Sequence, residues 1–266
     1  MRRQYIQRSL VVMASGVLLI ASCKKQGNND NPDVSPSSNV IVVNAAPSPA
    51  GYPALDMYLD TGKFTPAAIA YLGNNQATGI TGNLLYAPAL AADHAVDVRP
   101  TTTPNVKVLN ANASLMPDVN YSFFIYDTLN NTTSQFKLLK LTDELVQPAD
   151  TSMGKIRFLH LAPTLPAYDL TFVRLSGTTE VDSVTLTNRT YVGSGVPNEA
   201  TLSAFTNVKG GVYRLKIKTA GTATVVTTIN NAATNFLNFA KGKGYTVYVT
   251  GMAKGQPLAL RTVRHF

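Results

Sequence analysis

The sequence contains one cysteine and no tryptophan among its 266 residues. A single thiol cannot form a disulfide within the chain, so the fold must be stabilised by apolar packing. The three histidines, His94, His160 and His265, are far apart, and no second cysteine accompanies any of them. Because zinc sites need three or four such ligands, we expect no metal site and no cofactor.

No apolar run reaches the roughly 20 residues that a membrane-spanning helix requires. The segment Leu10–Ala21 is shorter, and it follows three arginines within the first eight residues. A basic start, a short apolar stretch and small residues are typical of a secretory signal peptide. We predict this signal peptide over residues 1–22.

The signal peptide ends in Ile20-Ala21-Ser22-Cys23, which resembles the lipobox of bacterial lipoproteins. The resemblance implies a diacylglycerol on the sulfur of Cys23, cleavage before it and palmitate-like acylation of the new terminus. Such acyl chains, at about 0.8 kcal/mol per buried CH₂, would anchor the protein to a membrane. We expect a location in the cell envelope, on the outer membrane of a Gram-negative bacterium. The alternative is a plain signal peptide with an incidental cysteine.

Acidic residues are scarce, with 15 Asp and Glu against 23 Lys and Arg, for a net charge of +8. Removal of residues 1–22 takes three arginines and no acid, which leaves +5. This charge is modest and forms no dense basic block, so we expect no nucleic-acid partner. The polar stretch that follows Cys23 is rich in Asn, Pro and Ser, and residues 23–38 are predicted to be a flexible tether.

Long segments of helical periodicity are absent, and one strand pattern occurs twice. An apolar strand, an Ala-Pro corner, a Pro-Ala-x-Asp step and a second apolar strand lie at residues 42–59 and again at 158–172. Internal repetition of this kind sets the domain count. We predict an all-β protein with two tandem antiparallel β-sandwich domains, residues 39–147 and 148–266.

Alternation is clearest in Tyr121–Tyr126 and Val212–Lys218. Tyr121, Phe123 and Ile125 should face one way, and Ser122, Phe124 and Tyr126 the other. In the second segment Tyr213, Leu215 and Ile217 should point inward. Each copy should close with a hairpin. In the first, Tyr121–Tyr126 should pair with Gln135–Leu141 across a polar turn at Asn130 and Asn131; in the second, Tyr245–Thr250 should pair with Leu258–Val263.

The chain resembles a known family in two linked segments. Leu138–Leu145 with Pro148, followed by Ile156–Pro163 and Pro166-Ala167-Tyr168-Asp169, is similar to the tandem secreted domains called domain of unknown function 4397. The first copy departs from the pattern, with Asn44 in place of the family's histidine and three extra residues before Pro53. The resemblance implies paired immunoglobulin-like β-sandwiches on exported bacterial lipoproteins, and it supplies no catalytic residues.

His160 is the residue that most invites a catalytic interpretation, together with Asp169. We favour a structural role, in which a ring nitrogen bonds a loop carbonyl and fixes the Ala162-Pro163 corner, with Asn44 doing the same in the first copy. Asp56 and Asp169 are equivalent residues of separate copies, so they are not a catalytic pair. Each is expected to bond backbone amides in its corner.

Three surface features have both a functional and a structural interpretation. Arg214, Lys216 and Lys218 form a candidate surface for acidic ligands, or simply protect a strand edge from pairing. Tyr52, Tyr58, Tyr86 and Tyr191 could stack on sugars, or pack in the cores. Asp127-Thr128-Leu129 and Asp182-Ser183-Val184 resemble short acceptors of bacterial O-glycosylation.

The sequence favours a non-enzymatic, lipid-anchored envelope protein that binds an envelope protein or a glycan, or serves as a scaffold. The alternative is an accessory or degenerate hydrolase of envelope polysaccharide or peptide, whose residues would converge from both domains into one cleft. A purely structural spacer is the third hypothesis.

Overall fold

The computed structural model describes residues 35–47, 52–75, 86–129, 136–230 and 237–266. The predicted signal peptide, Cys23, the tether up to residue 34 and the predicted turn at Asn130 lie outside these ranges. Within the described ranges, no helix is both long and apolar enough to pass through a bilayer.

Short strands make up both copies, because runs of β-branched and aromatic residues alternate with Gly, Pro and Asn turns. The strands of the first copy are β1 Ser37–Asn44, β2 Ala54–Leu59, β3 Gly62–Lys63, β4 Ile69–Ala70, β5 Ala87–Leu90, β6 Asp93–Pro100, β7 Leu109–Ser114, β8 Asn120–Tyr126 and β9 Lys137–Thr142. Those of the second copy are β10 Met153–His160, β11 Tyr168–Ser176, β12 Thr179–Arg189, β13 Thr206–Lys209, β14 Gly211–Thr219, β15 Val225–Asn230, β16 Asn238–Phe239, β17 Gly244–Thr250 and β18 Ala259–Arg264. A 3₁₀ turn, Val192–Ser194, and a short helix, α1 Glu199–Ser203, follow β12.

Each copy folds into two sheets whose strand orders correspond. The first copy has β5-β1-β8-β9 and β3-β2-β6-β7, with β4 added to β2. The second has β13-β10-β17-β18 and β12-β11-β14-β15, with β16 added to β14. The all-β sandwich prediction and the duplication are therefore confirmed at the level of topology.

Two strand pairs differ from the antiparallel expectation. β1 runs parallel to β8, with Val40 opposite Tyr121, and β10 runs parallel to β17, with Ile156 opposite Tyr245. Both predicted closing hairpins are confirmed as antiparallel pairs, β8 with β9 and β17 with β18. The sheets are thus mixed, and a parallel pair brings the first strand of each copy beside the penultimate one.

The tether prediction extends two residues too far. Ser37 and Ser38 belong to β1, opposite Leu90 and Ala89 of β5. Ser38 is fully buried, and its hydroxyl donates to the carbonyl of Ala89 at 3.4 Å. Composition alone suggested an unstructured stretch, but the pairing with β5 satisfies the backbone groups of these two serines.

Three apolar cores stabilise Ser35–Phe266, which is one compact unit. One core lies inside each sandwich, and the predicted inward residues Tyr121, Phe123 and Ile125 belong to the first. Tyr213, Leu215 and Ile217 belong to the second, as predicted.

The third core joins the copies. It contains residues of the first copy, among them Phe124 and Tyr126, and residues of the second, among them Leu159 and Tyr248. The β1-β8-β9 face of one copy therefore packs against the β10-β17-β18 face of the other. This explains why β8 and β17 are buried along almost their whole length.

Candidate functional site

The corner after β10 is fixed by His160, as predicted. The amide of Ala162 donates to Nδ1 at 3.3 Å, so the proton lies on Nε2, which donates to the carbonyl of Pro166 at 3.1 Å. The ring stacks on Tyr168 with centroids 5.7 Å apart. Burial lowers the pKa of His160, although the bond to Pro166 opposes this shift. The imidazole is neutral, and both of its nitrogens bind backbone.

Asn44 fixes the equivalent corner after β1 in the first copy. Its Oδ1 accepts the amide of Ala46 at 3.2 Å and its Nδ2 donates to the carbonyl of Ile69 at 3.0 Å. The equivalence of Asn44 and His160 is therefore confirmed, since each bonds the amide two residues ahead and one loop carbonyl.

The two equivalent aspartates have different partners. Asp169 accepts the amides of Asn188 at 2.7 Å and Gly221 at 2.9 Å, as predicted, and these bonds lower its pKa. Asp56 instead pairs with Lys63 of β3, with 3.0 Å between Nζ and Oδ1. The prediction of a backbone role is wrong for Asp56, because β3 turns back and presents a lysine beside it.

A cleft of about 320 Å³ opens beside the His160 corner in the second copy. Its walls come from β10, the end of β12, the 3₁₀ turn and the start of α1. It is lined by Phe158, His160, Asn188, Arg189, Thr190, Tyr191, Val192, Ser194, Gly195, Val196, Pro197, Asn198, Thr201 and Leu202. The volume lies at the lower end of the range for small-molecule sites.

The 3₁₀ turn is folded tightly over Tyr191. A Cβ added at Gly193 would lie 2.5 Å from the phenol ring of Tyr191, so a larger residue there would force the ring to move. The Ser194 amide and hydroxyl both donate to the carbonyl of Tyr191, at 3.1 and 2.7 Å. This wall of the cleft is therefore closely packed on the tyrosine ring.

The first copy supports the same wall. The Tyr191 ring packs edge-on against His160 and against Tyr126, at centroid distances of 6.2 and 6.3 Å. Lys137 donates to the carbonyl of Gly193 at 3.3 Å. Burial, and then the nearby Asp127 carboxylate, raise the pKa of the Tyr191 phenol, so it stays protonated. The cleft thus belongs to the second copy but depends on the first.

One cation dominates the electrostatics of the cleft. Arg189 ends β12, and its Nε is buried without an acceptor among the described residues. None of the lining residues is an aspartate or a glutamate. With His160 neutral, the guanidinium of Arg189 is the cleft's formal charge.

A profile of the family described as Domain of unknown function (DUF4397) matches residues 38–171, half of the chain. The chain belongs to the DUF4397 family. The match runs from β1 through the first copy and into β11 of the second. It supports the resemblance found in the sequence. A search of curated proteins finds no match.

Comparison with solved structures adds no functional argument. The Bacillus anthracis TIE protein matches at 10% identity and a TM-score of 0.22, covering 81% of this chain, which spans about one third (33%) of that protein. A proposed cell adhesion protein from Bacteroides uniformis ATCC 8492 matches at 10% identity and a TM-score of 0.24, covering 86% of this chain and 99% of its own. A proposed adhesin from Bacteroides ovatus matches at 8% identity and 0.24, covering 86% and 93%.

In this DUF4397 chain, two of the three cations in the candidate surface for acidic ligands form ion pairs with Glu180. Arg214 Nη1 and Lys216 Nζ donate to the carboxylate of Glu180 at 2.8 and 2.9 Å. β14 lies between β11 and β15, so the interpretation that Lys216 and Lys218 protect a free edge is wrong. That Arg214, Lys216 and Lys218 bind an acidic ligand stays a prediction. Such a ligand would compete with Glu180 for the first two.

The four tyrosines have separate environments. Tyr52 packs on the first core, and Tyr58 lies under the guanidinium of Arg99, 4.3 Å from its ring. Tyr86 is in the buried network described below, and Tyr191 lines the cleft. In the glycosylation triplets, Thr128 is half-buried whereas Ser183 is exposed on β12. Modification at either stays a prediction.

A buried polar network joins the copies, and sequence reasoning missed it. Arg157 Nη2 lies 2.6 Å from Asp143 Oδ1, with side chains 1% and 0% exposed. The other carboxylate oxygen accepts the hydroxyls of Ser122 at 2.6 Å and Tyr86 at 2.7 Å. The signal was available, because Ser122 lies between Tyr121 and Phe123, and Arg157 lies between Ile156 and Phe158.

The second half of this network uses His265. Its Nδ1 lies 2.7 Å from the hydroxyl of Tyr86 and its Nε2 lies 2.6 Å from that of Thr246, which also accepts Arg157 Nε at 2.7 Å. Since Tyr86 donates to Asp143, Nδ1 carries the proton and donates to Tyr86. Burial lowers the pKa of His265 to about 4.

His94 has a different structural role. Its nitrogens lie 2.8 Å from the Asp60 carboxylate and 2.8 Å from the carbonyl of Leu90. Burial lowers the pKa of His94, but these two acceptors outweigh that effect and raise it. Among the described residues, no group of three His, Cys, Asp or Glu side chains is placed to hold a metal ion.

Proposed function

We propose that this DUF4397 protein is a lipid-anchored, non-catalytic binding module of the bacterial cell envelope, and that the cleft around Arg189 holds its ligand. The composition of the cleft carries the proposal. It combines aromatic, hydroxyl and amide side chains with one cation, and its histidine is fully engaged with backbone. General acid–base catalysis needs a titratable group within reach of the substrate proton. The cleft is suited to holding a ligand.

The cleft assignment is tested by blocking it. Thr190 is exposed at the cleft, and tryptophan there would fill the opening. Thr187 is an equally exposed threonine of β12 outside the lining, so Thr187→Trp is the matched control. On an array of envelope glycans and proteins, we expect wild type and Thr187→Trp to bind and Thr190→Trp to lose binding. Equal binding by all three would refute this site.

The membrane anchor is proposed from the Ile20–Cys23 motif. Cells that express the full chain should incorporate labelled palmitate into the protein, and Cys23→Ala should abolish labelling and release the protein from the membrane fraction. Mass spectrometry of the mature terminus should show acylated Cys23. Labelling that persists in Cys23→Ala, or a mature terminus without acyl groups, would contradict the anchor.

The hydrolase alternative predicted a residue set that converges from both copies. Such convergence occurs in the Asp143–Arg157–His265 network, but these side chains lie in the interior, with Arg157 and Asp143 at most 1% exposed. A polymer chain cannot reach them without opening the fold. Turnover of a polysaccharide or peptide panel, abolished by His160→Ala in a folded protein, would instead establish a hydrolase.

A further inference from the structure

Arg189 occupies a position that is apolar in the first copy. It lies opposite Tyr168 of β11, and the equivalent pair in the first copy is Ile69 opposite Leu55 of β2. Ile69 and Leu55 are 2% and 0% exposed within the first core. The second copy therefore places a guanidinium where the same fold otherwise places a core side chain. Unlike Ile69, Arg189 is only half-buried, and it lines the cleft.

Three other arginines of the second copy, Arg157, Arg174 and Arg214, have acids beside them. Arg157 pairs with Asp143 at 2.6 Å, and Arg174 binds Asp182 with bonds of 2.9 and 3.0 Å. No described aspartate or glutamate pairs with Arg189, and its Nε has no acceptor. A cation that lines a cleft without a partner acid is available to an anionic ligand.

We propose that Arg189 binds the carboxylate of an acidic sugar, of the hexuronic acid class. A guanidinium offers a planar fork of N–H donors that matches the two oxygens of a carboxylate. A single cation balances a single negative charge, whereas a phosphate monoester carries about −1.5 to −2 at neutral pH and would leave charge uncompensated.

The rest of the lining matches a sugar ring. Asn188, Thr190 and Thr201 bring amide and hydroxyl groups to the cleft, which suit the hydroxyls of a sugar. The held ring of Tyr191 supplies an apolar wall beside them. An acidic peptide presents the same carboxylate without the ring hydroxyls, so it is the competing outcome of the test below.

The test uses the mature full-length protein with its anchor and measures binding of galacturonate oligosaccharides by calorimetry at physiological salt. The probes are the free acid, its methyl ester and an acidic peptide. We expect saturable binding of the acid, weakened roughly tenfold or more in the ester and in Arg189→Gln. Arg189→Ile, which installs the first copy's residue, should fold at least as stably and also lose binding. Lys241→Gln, which removes one exposed positive charge outside both the cleft and the Arg214–Lys218 surface, should bind within about twofold of wild type.

The outcomes separate this assignment from the proposed function on which it rests. Equal affinity for acid and ester, unchanged binding by Arg189→Gln, or binding of the peptide alone would overturn the acidic-sugar assignment. A neutral glycan that binds and is blocked by Thr190→Trp would leave the binding module in place while overturning the role of Arg189. Failure of every envelope glycan and protein on the array would overturn the proposed function itself.

Discussion

At the scale of single residues, two chemically different side chains fix the same corner of the fold, one in each copy. His160 and Asn44 each present an acceptor to the amide two residues ahead and a donor to a loop carbonyl. This role could be predicted from the sequence, because both residues end an apolar strand before an Ala-Pro corner. The partner of Asp56 could not, since it depends on how β3 folds back onto β2.

The corner role predicts a graded response to substitution at His160. His160→Ala removes both bonds in a buried site and should lower the free energy of unfolding by about 1–3 kcal/mol. His160→Asn installs the residue that the first copy has at this position, so its free energy of unfolding should fall by clearly less than that of His160→Ala. Urea unfolding of the three proteins measures both values. Equal losses for Asn and Ala would show that the ring stack on Tyr168, rather than the two bonds, holds the corner.

At the scale of strands, period-two alternation predicted which residues of β8 and β14 share a face. The alternation did not reveal that the face of β8 with Phe124 and Tyr126 packs on the second copy. An apolar face has the same sequence pattern whichever sheet covers it. Ser122, Arg157 and Thr246 marked the positions where polar groups are buried between sheets. The place of Arg189 was not predictable, since only the fold brings the end of β12 beside His160 and the 3₁₀ turn.

The ion pair between Arg157 of β10 and Asp143, which follows β9, predicts a large loss of stability when one partner is replaced. Arg157→Met leaves the Asp143 carboxylate buried without its cation and should cost about 3–5 kcal/mol. Arg157→Met combined with Asp143→Leu removes both charges and should recover much of that loss. Urea titrations of wild type, these two variants and Asp143→Leu alone give the free energies of unfolding. A double variant as unstable as the sum of its single variants would contradict the direct ion pair.

At the scale of the whole molecule, the copies contact each other reciprocally. Tyr191 of the second copy packs on Tyr126 of the first, and the equivalent Tyr71 of the first lies beside Thr250 of the second, where burial raises its pKa. Thr250 also donates to the carbonyl of Ala45 at 2.6 Å. Because the third core and the buried network join the two sandwiches, we expect them to unfold as one unit, and the wall of the cleft depends on their contact.

Differential scanning calorimetry of the mature protein, with and without Phe124→Ala, tests this central claim most directly. Phe124 packs edge-on against Tyr248 of the other copy, 5.7 Å between centroids, and its loss should cost about 3–5 kcal/mol. We predict one transition whose van't Hoff and calorimetric enthalpies agree, shifted as a whole to lower temperature in the variant. Two transitions in the wild type, or a variant in which only one of two transitions moves, would contradict the account of a single cooperative unit.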